Sequence, residues 1–175
     1  NLGRCLTLAG RLDEARRVLT EARQAVPRSD SQGDGLPVDI FYLEGLLEKG
    51  SNNYAAAAAR FREVTKRDPT LETGWYQLGS VLFLDGVYRE AIEVFDEVLE
   101  RNPLHVPAHY KRSMAYRSLG DLARAEEGMS QFLALKKKSG QIATEEYAYE
   151  QCRYTQVRRV PLRGAADEVP AVKLE

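Results

Sequence analysis

Equivalent side chains return every 34 places along most of this chain, and that register constrains the fold more than any other feature. The clearest unit spans residues 72–105, with Trp75, Leu78-Gly79, Leu82, Ala91, Phe95 and Pro103. One step back, residues 38–71 carry Phe41, Gly45, Ala57, Phe61 and Pro69. One step forward, residues 106–139 carry His109, Ser113, Tyr116, Ala125 and Met129. With an insertion from Asp30 to Pro37, residues 1–29 supply Leu2-Gly3, Leu6, Ala15, Leu19 and Pro27. Each unit holds two stretches of apolar residues at helical spacing with a turn between them. Trp75, Leu78 and Leu82 share one helical face, and Ala91, Val94, Phe95 and Val98 share another.

Punctuation follows the same register. Gly10, Gly86 and Gly120, with Asn52 in the remaining copy, stand between the paired helices. These residue types best tolerate the left-handed backbone that ends a helix. Gly3, Gly45, Gly79 and Ser113 permit close approach of the paired helices, as do Ala15, Ala57, Ala91 and Ala125. Pro27, Pro69 and Pro103 stop the second helix of their units, because proline disfavours helical geometry in its predecessor. The fourth unit has Lys137 there, within Lys136-Lys137-Lys138, so its second helix is expected to run on with cations near its C-terminus.

The pattern resembles the tetratricopeptide repeat family, over about 139 of the 175 residues. The resemblance implies an all-α right-handed superhelix of stacked antiparallel helix pairs, in which first helices line a concave groove and second helices form the convex back. One such pair cannot bury both faces, so the units must stack. The expected organisation is a repeat domain over residues 1–160, with repeats at 1–29 (incomplete), 38–71, 72–105 and 106–139. A capping helix is expected at about 142–160, with Thr144 as N-cap, Glu145 and Glu146 in the first turn, and Tyr147, Tyr154 and Val157 on one face. Residues 161–175 read as an extended tail or linker. The chain opens at Asn1 without methionine and reads as a piece of a longer protein.

Placed on that geometry, the groove is lined by Arg4, Leu8, Tyr42, Leu46, Lys49, Tyr76, Ser80, Phe83, Leu84, Tyr110, Met114 and Arg117, with Lys111 beside them. Tyr42, Tyr76 and Tyr110 recur at the repeat interval and are expected to form a ladder suited to peptide recognition. Some family members hold acidic chaperone tails in a carboxylate clamp. The corresponding places here hold Tyr42, Leu46, Gln77 and Thr73, with Lys111 the one matching cation, so a chaperone-tail receptor is disfavoured.

Composition bounds the remaining classes. Lys and Arg number 25 against 26 Asp and Glu, so no overall field attracts nucleic acid or anionic lipid. Charge is nonetheless uneven: residues 72–105 carry two basic and seven acidic side chains, residues 106–139 seven basic and three acidic. No apolar run reaches membrane-spanning length. Cys5 and Cys152 stand far apart and write no disulfide framework. His105 and His109 are four apart, but Val106-Pro107 intervenes and no third ligand is near, so no metal site is expected and His109 reads as a packed replacement for an aromatic. No nucleophile elbow or phosphate-binding loop is present. The expectation is a non-enzymatic scaffold, without cofactor, that binds another protein or peptide. Self-association and an accessory role in a larger enzyme are the alternatives. The partner and the compartment are not written in these residues, with the cytoplasm the favoured expectation.

Overall fold

The computed structural model describes residues 11–25 and 37–139, and every element among them is an α-helix. These are α1 (Leu12–Ala25), α2 (Val38–Gly50), α3 (Tyr54–Arg67), α4 (Glu72–Leu84), α5 (Tyr88–Arg101), α6 (Val106–Ser118) and α7 (Leu122–Ser139). Each helix packs against the next, and α2 with α3, α4 with α5 and α6 with α7 form the three complete pairs of an all-α superhelix. Helix α1 is the second helix of the first unit. The expected partner for it in residues 1–10, the turn residue Gly10, and the capping helix at 142–160 lie outside the described residues.

The turns inside the pairs repeat bond for bond. Val87 N–H donates to the Leu82 carbonyl (2.9 Å) and Gly86 N–H to Phe83 (3.2 Å). Asp121 to Tyr116 and Gly120 to Arg117 match them at 3.0 Å each, as do Asn53 to Glu48 and Asn52 to Lys49 at 2.9 and 3.0 Å. This is the paired bond set that satisfies the last carbonyls of a helix, and it needs a residue with positive φ. Gly86 (φ 80°), Gly120 (φ 81°) and Asn52 (φ 59°) supply it. Between pairs, α3 and α5 stop two residues before Pro69 and Pro103. With Lys137 in place of that proline, α7 runs on to 18 residues against 14 for α3 and α5.

Phe61 fills the space that Gly45 leaves, and Phe95 the space at Gly79. A Cβ on either glycine would come within 2.8 or 2.7 Å of the ring. The fourth unit solves the contact differently. Ser113 replaces the glycine and its hydroxyl donates to the Ala125 carbonyl at 2.5 Å, while Gly128 supplies the missing bulk clearance opposite Ser113. One continuous core runs from Phe41 and Tyr42 through Phe61, Tyr76 and Leu82 to Phe95, Val98 and Ala108. A smaller cluster of Ala15, Leu19 and Leu47 joins α1 to α2.

That junction is also charged. Arg16 meets Glu48 at 2.7 Å and Arg23 meets Glu44 at 2.9 Å, while Arg60 of α3 reaches the same Glu44 at 3.2 Å. Burial pushes the Glu48 carboxyl up, but hydrogen bonds from Arg16 and Asn53 and the charges of Arg16 and Arg60 outweigh it and hold the group below the usual carboxylate range.

Candidate protein-binding face

Beyond its sequence neighbours, α4 also meets α6, the contact between first helices that the expected superhelix makes on its inner side. Which of their side chains reach the surface is decided by the helix that follows. Tyr42 and Tyr76 are 0% and 1% exposed, whereas Tyr110 is 42% exposed. The Tyr76 ring lies 6.3 Å from Phe95 and 4.7 Å from the His105 ring, with Lys111 Nζ 5.6 Å over it. Tyr42 packs edge-on against Phe61 at 5.6 Å, and by the same register Leu71 and Gln77 stand where His105 and Lys111 cover Tyr76.

The expected ladder of three surface tyrosines is therefore not what the structure shows. Two of the rings are core, because the next pair closes over them. Leu46 and Ser80 are buried for the same reason, at 5% and 0% exposure. Arg4 and Leu8 lie outside the described residues. What remains at the surface of the inner helices is Phe83, Lys49, Lys111 and Met114, all half-buried, and Leu84, Tyr110 and Arg117, all exposed. Lys49, Phe83 and Arg117 occupy one place in the register. Phe83 packs edge-on against Tyr88 at 5.5 Å, and Tyr110 against Phe132 at 5.2 Å. Met114 and Arg117 of α6, with Leu122, Ala125 and Met129 of α7, line a cleft of about 280 Å³.

Polar links across the pairs were not visible from spacing alone. Lys49 Nζ donates to Gln77 Oε1 at 3.2 Å, tying α2 to α4. Arg112 meets Asp96 at 2.5 Å, tying α6 to α5. Arg62 meets Glu90 at 2.6 Å, tying α3 to α5. Ser80 Oγ and Thr73 Oγ1 are buried without a hydrogen-bond partner among the described residues.

The two histidines have structural duties. His109 Nε2 stands 2.9 Å from the Pro103 carbonyl, the same bond that Trp75 Nε1 makes to the Pro69 carbonyl at 2.9 Å. A carbonyl only accepts, so Nε2 carries the proton. His105, 34 places after Leu71, caps α6: its Nδ1 accepts from the Ala108 amide at 3.1 Å, while Nε2 faces Glu72 Oε1 at 3.6 Å. Burial pulls the His105 imidazole below its ordinary value, partly opposed by Glu72. Among the described residues no three His, Cys, Asp or Glu side chains converge as a metal site would require. No described helix is long and apolar enough to cross a membrane.

Comparison with known proteins agrees with this geometry. A family profile described as tetratricopeptide repeat matches residues 42–86 and 76–136, more than half of the chain. Over 94 residues the chain is 32% identical to the tetratricopeptide repeat and J domain-containing co-chaperone DNJ1 of Cryptococcus neoformans var. grubii serotype A. That stretch is 54% of this chain and 18% of the co-chaperone. Among solved structures, YrrB, a TPR protein with an unusual peptide-binding site, superposes with a TM-score of 0.67 at 20% identity, covering 77% of this chain and 66% of YrrB. MamA of Desulfovibrio magneticus RS-1 superposes with a TM-score of 0.66 at 23% identity, covering 85% of this chain and 76% of that one. At these identities the structural matches speak for the fold.

Proposed function

Because the chain belongs to the tetratricopeptide repeat family, we propose that it is a non-catalytic scaffold whose concave face binds a segment of another protein. The observation that carries this reading is the surface left on the inner helices: Phe83, Leu84, Tyr110 and Met114 present apolar area, and Lys49, Lys111 and Arg117 frame it with cations. Apolar anchors supply affinity and the cations set register against acidic or carbonyl groups of the bound segment. YrrB, with its peptide-binding site, is a precedent on the same fold, although fold alone does not fix a ligand.

The buried tyrosines act indirectly in this account, as packing that holds the wall rigid. Peptides selected from a random display library on the full chain provide the probe. Leu84→Asp and Arg117→Glu are each expected to weaken the selected peptides at least about tenfold, the range for removing one anchor worth roughly 1.4 kcal/mol. Glu93→Ala and Glu100→Ala, exposed on the outer helix α5, are expected to leave affinity unchanged. Equal binding by the inner-helix variants, with helicity intact, would exclude the concave face.

A further inference from the structure

The junctions that precede α4 and α6 differ at one residue of the register. Leu71 precedes α4 and offers no side-chain cap. His105, 34 places on, precedes α6 and caps it. Both are buried, at 9% and 2% exposure. The His105 ring is held on three sides: it lies 4.7 Å from the Tyr76 ring of α4, its Nδ1 accepts from the Ala108 amide at 3.1 Å, and its Nε2 stands 3.6 Å from Glu72 Oε1. An accepting Nδ1 fixes the neutral tautomer, with the proton on Nε2. A second proton can go only to Nδ1, where it meets the Ala108 N–H donor to donor. Protonation therefore removes the cap of α6 and leaves a charged ring against Tyr76.

We propose that His105 is an acid-sensitive latch, whose protonation frees the start of α6 and loosens the joint between the α4–α5 and α6–α7 pairs while each pair stays folded. The charged groups around the ring do not hold it in place. Glu72 of α4 faces Nε2, but it is half-exposed and already accepts from Asn102 Nδ2 at 3.0 Å. His109 of α6 adds a second imidazole, and Lys111 of α6 sits 5.6 Å over the same Tyr76 ring. Arg101, at the end of α5, is turned to Trp75 and Glu97. Moving out to water beside Glu72 relieves both the burial and the opposed donors. Burial already holds the imidazole below its ordinary value of 6.5, with Glu72 opposing, so the latch opens as pH falls past a point below 6.5. The α6–α7 pair keeps its own contacts through Ser113 with Ala125 and Tyr110 with Phe132. Arg112 still reaches Asp96 of α5, so the joint loosens without parting. The inner face spans this joint, and acid would release a segment held across α4 and α6; that consequence rests on the function proposed above, whereas the latch does not.

The joint is read directly, without a bound segment, by pulsed electron paramagnetic resonance on the full chain carrying Cys5→Ser and Cys152→Ser. Spin labels at Glu93→Cys and Glu127→Cys, exposed and one repeat apart, span the α5–α6 junction. Labels at Ala59→Cys and Glu93→Cys span the α3–α4 junction in the same way, where Leu71 cannot titrate. Between pH 8 and pH 5, the interval in which histidine changes charge, the 93–127 distance distribution is expected to widen or shift by about 2 Å, the scale of a helix shift. The 59–93 distribution is expected to stay as it is, and circular dichroism to keep its helical signal. His105→Asn, which accepts from Ala108 at every pH in this range, is expected to abolish the change. His109→Trp, which copies the bond of Trp75 to a proline carbonyl, is expected to retain it. The proposal is overturned by no change down to pH 5, equal change at both junctions, change accompanied by loss of helix, change that survives His105→Asn, or change lost in His109→Trp. Should His105→Asn fail to fold, His105→Leu, the residue type of the α3–α4 junction, replaces it and is read the same way.

Discussion

At Gly79 a single added methyl group would sit 2.7 Å from Cε1 of Phe95, and Gly45 has the same relation to Phe61. Alanine favours helix over glycine by up to about 1 kcal/mol, but overpacking against an immobile ring costs about 1–3 kcal/mol. Gly79→Ala is therefore expected to lower stability in urea unfolding, and an unchanged midpoint would contradict this packing. Ser80 gives the opposite expectation. Its hydroxyl is buried without a hydrogen-bond partner among the described residues, so Ser80→Ala is expected to be neutral or to stabilise by about 1 kcal/mol. His105 brings a pH dependence. Its imidazole titrates below the ordinary value of 6.5 because it is buried, so as pH falls the unfolded chain takes up a proton first. Stability is then present in full above about pH 6.5 and falls as pH drops towards the folded-state value. His105→Asn, which keeps a capping acceptor, should flatten the slope between pH 7 and pH 5 measured by chemical unfolding. Some of this was legible in residue types: His109 stands where Trp75 stands, and both hydrogen-bond a proline carbonyl. His105 was not, because a histidine in a loop says nothing of its cap until Ala108 is placed above it.

Among the elements, the turns were the most readable part of the chain. Only a few residue types take positive φ cheaply, so Gly86, Gly120 and Asn52 could be assigned before any coordinates. Gly86→Ala has open space around it, yet the left-handed backbone should cost about 1–2 kcal/mol. Asn52→Gly should cost nothing or gain slightly. Differential scanning calorimetry of the two variants checks both signs, and a neutral Gly86→Ala would mean that the turn relaxes to another form. The proline stops and the extended α7 followed from equally local rules. Exposure did not. Tyr42, Tyr76 and Tyr110 are the same residue in the same place of the register, yet the first two are buried beneath a following pair while Tyr110, in the last described pair, is exposed. Local periodicity assigns a residue to a face, and its neighbours in space decide whether that face is solvent.

For the molecule as a whole, the order of helices α1–α7 and the continuous core running through Phe61, Tyr76 and Phe95 make each pair depend on its neighbours. Ion pairs such as Arg62 with Glu90 and Arg112 with Asp96 tie elements across that stack, but surface pairs of this kind contribute about 0–1 kcal/mol each. The apolar register does most of the holding, which is why a composition with almost balanced charge could still announce the architecture. The binding face was less legible, since half of the residues assigned to it from the register turned out to be interior or outside the described residues. Amide hydrogen exchange of the full chain, with and without a library-selected peptide, tests the central claim most directly. The account predicts added protection on the inner helices, centred on Phe83, Leu84 and the α6 residues Lys111 to Arg117, with little change on the outer faces of α3 and α5. Protection confined to those outer faces would contradict it.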